Sequence, residues 1–136
     1  MNYRLPLFAL GAITATGLAL AGCGSDDKEP DSTVDVSLSS FKVEASTTTV
    51  KAGKIKFTAE NTEAKDVHEL AVLKVNGPDN FENLGEVEDI DPGKGGDVTL
   101  DLEPGEYLLA CLIAPGEAGS TVDHFQQGMK LTFTVE

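Results

Sequence analysis

The stretch Gly105-Glu-Tyr-Leu-Leu-Ala-Cys-Leu-Ile113 decides how the rest of the chain is read. From Tyr107 to Ile113 it is almost continuously apolar, and it opens directly after the turn signal Pro104-Gly105. A short apolar run bounded by a turn suits the central strand of a sandwich, covered on both faces. Upstream, Val98, Leu100 and Leu102 alternate with polar residues, and Val87 to Ile90 precede a Pro92-Gly93 turn. Leu70 to Val75 is rich in aliphatics. Ile55, Phe57 and Ala59 alternate after the Ala52-Gly53 break, Thr47 to Lys51 is β-branched, and Val34, Val36 and Leu38 alternate again. Downstream, Leu131, Phe133 and Val135 alternate to the end. The sum is seven or eight short strands with frequent turns and no long 3.6-residue period. That pattern predicts an all-β, antiparallel Greek-key β-sandwich. Asn76 to Gly85 is the weakest stretch and reads as a short helix or a loop.

Composition narrows the function classes. The 136 residues suit a single domain. The formal net charge of −13 argues against nucleic acid, whose binding needs a Lys/Arg surface, and against adhesion to anionic headgroups. Acidity serves solubility, and it also suits docking to a basic partner. The acids Glu86, Glu88, Asp89 and Asp91 lie in a strand and turn and read as a solvated face, not a catalytic pair. No EF-hand spacing, phosphate loop or nucleophile motif is present, so the chain does not read as an enzyme.

Residues 1–22 read as a secretory leader. Arg4 is its only charge, and the apolar run from Leu5 to Leu20 is interrupted by Pro6, Gly11 and Gly17. Leu20-Ala21-Gly22-Cys23 resembles the lipobox of bacterial lipoproteins, in which the Cys becomes the lipidated first residue. The resemblance implies an extracytoplasmic protein held to the membrane by acyl chains on Cys23. Two or more chains anchor stably, at about 0.8 kcal/mol per buried CH₂. Gly24 to Thr33 holds no apolar side chain besides Pro30 and reads as a flexible acidic tether with a reach of about 17 Å. The folded domain is then residues 34–136.

The chain has two His, two Cys and two Met. Met1 leaves with the leader, and Cys23 is taken by the lipid. What remains, in order, is His68, Cys111, His124 and Met129. Two imidazoles, a thiolate and a weak thioether are the donors of a blue-copper site. Strand ends and loops at one pole of a sandwich can converge on one point. Taken singly, each residue has a structural reading. Cys111 can be a small core residue, and His68 a strand-edge imidazole paired with a carboxylate such as Glu69. Met129 can be core filler, and His124 with Phe125 a loop plug. Zinc can also occupy a His₂Cys set, and the thioether tilts the choice toward copper.

Gly105-Glu-Tyr-Leu-Leu-Ala-Cys111 followed by His124-Phe-Gln-Gln-Gly-Met129 resembles the C-terminal half of the cupredoxin family, the type 1 copper proteins that include plastocyanin and azurin. The four-residue gap between His124 and Met129 matches the plastocyanin-like arrangement. Asn61 and then His68 resemble the family's polar turn and first His ligand. The resemblance implies Cys111 as thiolate ligand, His68 and His124 as imidazole ligands, Met129 as long axial ligand, and Asn61 as the residue that stiffens the loop bearing His68. One feature departs from the family. Twelve residues, Leu112 to Asp123, separate Cys111 from His124, where the family has only a few. Loop-closure entropy grows slowly with length, so the insertion is tolerable, but it leaves ligand geometry and copper exposure open.

The function this implies is one-electron transfer by a single copper ion, with a redox partner protein docking near His124. An apolar rim of Leu112, Ile113, Pro115 and Phe125 is expected there. Copper sequestration or delivery at the envelope uses the same ligands, and a metal-free cupredoxin-like binding module is the third reading.

Overall fold

The computed structural model describes residues 28–136. The leader and Cys23 lie outside the described residues. Among the described residues nine strands form: β1 Ser32–Ser39, β2 Lys42–Ala45, β3 Thr49–Val50, β4 Gly53–Asn61, β5 His68–Val75, β6 Phe81–Ile90, β7 Gly95–Leu102, β8 Gly105–Ala110 and β9 Lys130–Val135. They make two sheets, in the orders β2-β1-β4-β7 and β3-β9-β8-β5-β6. β1 runs parallel to β4 and β3 parallel to β9; the other pairs are antiparallel. The sandwich is the expected all-β Greek-key form, with nine strands among the described residues rather than seven or eight, and with two parallel pairs where antiparallel pairing was expected.

The period of two sets the core. Val34, Val36 and Leu38 of β1, with Ile55, Phe57 and Ala59 of β4, face Leu70, Val72, Tyr107, Leu109, Phe133 and Val135 of the other sheet. Phe57 and Phe133 meet edge-on across the layers, with centroids 5.4 Å apart. Tyr107 is buried, and its hydroxyl donates to the Glu103 carbonyl at 2.8 Å, pinning the turn into β8. β5 is apolar on both faces. Ala71 and Leu73 point away from the main core into a second cluster with Ala110, partly covered by Leu108, Leu112 and Phe125.

Two elements and one boundary differ from expectation; at the boundary, Ser32 and Thr33, expected in the tether, pair with Ile55 and Lys56 of β4. Asn76 to Gly85 is neither a helix nor only a loop. A tight turn closes with Asn76 donating to the Asn80 carbonyl, and β6 begins at Phe81, with Phe81 opposite Val75. β6 is an edge strand whose side chains are mostly exposed, so its sequence carries little apolar alternation. Glu86, Glu88, Asp89 and Asp91 do form a solvated face there. β2 is the strand missing from the sequence reading. Val43 is its one buried residue, and its place is fixed by hairpin pairing with β1.

Candidate metal centre

Topology carries the candidate residues to one pole. β5 begins at His68, β8 ends at Ala110 and β9 begins at Lys130. β8 lies between the other two, with Ala110 opposite both Ala71 and Lys130. The start of β5, the end of β8 and the approach to β9 are therefore neighbours. Cys111 continues the inward alternation of Tyr107 and Leu109 and joins the main core. Its N–H donates to the Met129 carbonyl at 3.1 Å, and the Met129 N–H donates to the His124 carbonyl at 3.0 Å. His124 is set by its own N–H, which donates to the Ile113 carbonyl at 2.9 Å.

The side chains converge. His68 Nδ1 lies 3.3 Å from His124 Nδ1, and Cys111 Sγ lies 3.4 Å from that same Nδ1. One donor atom from each of the three residues falls within 4.8 Å of the others. None of the three is more than 3% exposed. Met129 is fully buried in the same core and tied through its backbone to Cys111 and His124.

The loop that delivers His68 is held by Asn61, which is fully buried. Its Nδ2 donates to the carbonyls of Asp66 and Ile90, both at 2.8 Å, and its Oδ1 accepts from the Glu63 N–H at 2.9 Å. Glu63 carries the brace outward by accepting from the backbone and hydroxyl of Ser40 at the β1–β2 hairpin tip. Those donors, with the Ala64 N–H, hold its carboxyl down at about 2. Glu69 frames the thiol. Its N–H donates to Cys111 Sγ at 3.5 Å, and its carboxylate accepts from the Leu112 N–H at 2.8 Å.

Electrostatics favours neutral donors until a cation arrives. Burial pushes the Cys111 thiol up to about 11, against the opposing pull of the Ile113 and Glu69 N–H groups. Burial also lowers the pKa of both imidazoles, and for His68 the neighbouring His124 adds to it. Two Nδ1 atoms at hydrogen-bond distance can share at most one proton between them. Binding a metal there must release the protons that stand in its place.

The inserted loop folds back over His124. Gly116 donates to the Ser120 carbonyl, Glu117 to Ala114 and Ser120 to Glu117, a compact turn that uses positive φ at Gly116 and Gly119. Ser120 Oγ reaches His124 Nε2 at 3.1 Å, and Phe41 packs edge-on against the His124 ring at 5.5 Å. A surface cavity of about 490 Å³, lined in part by Phe41, Asp66, Ser120 and Val122, leads to His124. Ser120 and Phe41 are the site residues that the sequence reading missed. The only signal for Ser120 is the length of the insertion, and for Phe41 there is none without the pairing of β2. The expected apolar rim is also different. Ile113 is buried in the main core, and Leu112 and Phe125 pack on the outer face of the sheet against Ala71, Leu73 and Ala110, with Pro115 exposed.

The donors fit a copper ion. A buried thiol, two imidazole Nδ1 atoms and an adjacent buried thioether residue form a soft, mixed N/S set with no carboxylate in it. His68 supports this reading from its other side. Its Nε2 is buried without a hydrogen-bond partner, so its polar contact is made at Nδ1, toward the cluster.

Comparison with known proteins agrees with the geometry. The family described as "Cupredoxin-like domain" matches residues 12–122. No curated protein matches the sequence significantly. Among solved structures, an auracyanin from the photosynthetic bacterium Roseiflexus castenholzii superposes with a TM-score of 0.61 at 20% identity, covering 77% of this chain and 96% of its own. Auracyanin B gives 0.61 at 22% identity, with 81% and 92% covered. Auracyanin A of Chloroflexus aurantiacus, described as a "blue" copper protein, gives 0.53 at 18%, with 76% and 99% covered. At these identities the likeness establishes the fold. With the family match spanning most of the chain, the sandwich and its buried His–Cys–His pole belong to a member of the cupredoxin-like family.

Proposed function

We propose that this chain is an electron-transfer protein that holds one copper ion through His68, Cys111, His124 and Met129. The observation that carries the reading is the convergence of two imidazole Nδ1 atoms and the Cys111 thiol in a buried pole. Copper bound there supplies a one-electron Cu(II)/Cu(I) couple. Cys111 provides the soft thiolate, and the Glu69 N–H donates to its sulfur and tempers its electron density. Asn61 fixes the loop that presents His68, so that donor is placed before the metal arrives. Burial of all four residues keeps water from the donors. Met129 serves as the weak fourth donor. Met129→Leu then keeps the coloured centre and raises its potential, because a donor that favours Cu(II) is lost.

The wider setting belongs to the same proposal. Acyl chains on Cys23 hold the domain at the extracytoplasmic face of a bacterial membrane, and the tether lets it reach a redox partner protein. The net charge of −13 favours a partner with a basic docking face and a salt-sensitive rate. Copper storage or delivery is the second reading. The cavity over His124 favours it, because it brings the surface to the ring of one proposed ligand. Voltammetry of the copper-loaded domain separates the two. A reversible one-electron wave supports the carrier, and copper lost on each reduction cycle supports delivery.

A further inference from the structure

The inserted loop between Cys111 and His124 does more than cover the site. Ser120 Oγ has three polar neighbours: the Val122 carbonyl at 2.8 Å, the Val122 N–H at 3.2 Å and His124 Nε2 at 3.1 Å. A serine hydroxyl has one proton to give and two lone pairs to fill. The Val122 carbonyl can only accept, so it takes the hydroxyl proton. The Val122 N–H can only donate, so it fills one lone pair. The remaining lone pair faces His124, and that contact is a hydrogen bond only if Nε2 carries the proton.

We propose that Ser120 is a positioning residue that holds His124 as its Nε2–H tautomer, so that the Nδ1 lone pair faces Cys111 Sγ and His68 Nδ1. The inserted loop thereby supplies, from within the chain, the outer hydrogen-bond partner that fixes a metal-binding imidazole. His68 provides the contrast. Its Nε2 is buried with no partner, so the polar contact of its ring is made at Nδ1, toward His124. His124 sits instead on a loop and takes its orientation from Ser120 on one side and the edge contact with Phe41 on the other.

The tautomer assignment holds for the metal-free protein, and only the affinity consequence rests on the copper reading. The test uses ¹⁵N-edited NMR of the imidazoles in the metal-free domain at about pH 8, above the ordinary imidazole pKa of about 6.5. In the wild type, His124 should have a protonated Nε2 in slow exchange with water and an unprotonated Nδ1. Ser120→Ala should shift the tautomer ratio of His124, and of His68 with it because their two Nδ1 atoms share one proton, speed that exchange, and weaken Cu(II) binding about 10–100-fold. Ser120→Thr, which keeps the hydroxyl, should restore all three properties. A wild-type His124 protonated at Nδ1, or a folded Ser120→Ala domain with unchanged tautomer and exchange, overturns the proposal. If the tautomer responds as stated but no copper binds to any variant, the Ser120 assignment stands and the copper reading fails.

Discussion

Removing the Asn61 side chain tests how far the site depends on a residue that is not a ligand. Asn61→Ala deletes hydrogen bonds to the Ile90 and Asp66 carbonyls and from the Glu63 N–H, at 2.8, 2.8 and 2.9 Å. Asn61 is fully buried, and Ile90 is 3% exposed, so water cannot easily replace the lost amide at that carbonyl. A buried group left without its partner costs about 1–3 kcal/mol. The contacts to Asp66 and Glu63 are only part-buried and fall at the low end, so the total is about 3–5 kcal/mol. For a domain of this size that lowers Tm by roughly 15–30 °C. Asn61→Asp should be at least as damaging near neutral pH. It keeps the acceptor for the Glu63 N–H but turns a second carboxylate oxygen toward two carbonyls. The assay is thermal unfolding of the metal-free domain followed by circular dichroism, so that no bound ion masks the loss. A loss below about 1 kcal/mol in Asn61→Ala would refute the claim that this amide holds the His68 loop.

Three further outcomes are expected, two from the structure and one from the sequence around Cys23. Phe133→Ala should cost about 3–5 kcal/mol in denaturant unfolding, because it removes a fully buried ring packed edge-on against Phe57; a cost under about 1 kcal/mol contradicts the packing. The metal-free domain should lose stability as pH falls. Folding lowers the pKa of His68 and His124 below the ordinary 6.5, so the unfolded chain takes up protons first. The loss begins near the unfolded value and grows down toward the lowered folded ones, and a midpoint that is flat or rises from pH 7 to pH 5 contradicts it. Cys23→Ser should release the protein from membranes or block its maturation, and a normally processed, membrane-bound variant would exclude Cys23 as the anchor.

Much of the fold is legible in the sequence because sandwich strands with one buried face must alternate. Val34-Val36-Leu38, Ile55-Phe57-Ala59 and Leu131-Phe133-Val135 do so, and each lies in a strand. β2 and the first half of β6 are not legible. Their residues are mostly exposed, and pairing rather than burial holds them in place. At the site, chemistry made His68, Cys111 and His124 readable, since few other residues have soft or imidazole donors. The cover over His124 was not readable. It depends on Ser120 and Phe41 meeting one ring from a loop and a hairpin more than 70 positions apart, and neither residue type announces such a role. Ile113 is buried rather than at the rim because a residue two positions after Cys111 shares its inward face as long as the alternation persists.

In the proposed function Cys111 is a copper thiolate and not merely a buried thiol. The direct measurement is the visible absorption spectrum of the domain from residue 28 onward during titration with Cu(II), with Cys111→Ser alongside. An intense sulfur-to-copper charge-transfer band should appear, saturate at one equivalent and be absent in Cys111→Ser, because a hydroxyl is no soft, easily oxidised donor. Copper bound without a strong band contradicts the thiolate assignment and favours a carrier of copper over a carrier of electrons. No copper bound at all contradicts the metal centre and leaves a cupredoxin-like binding module.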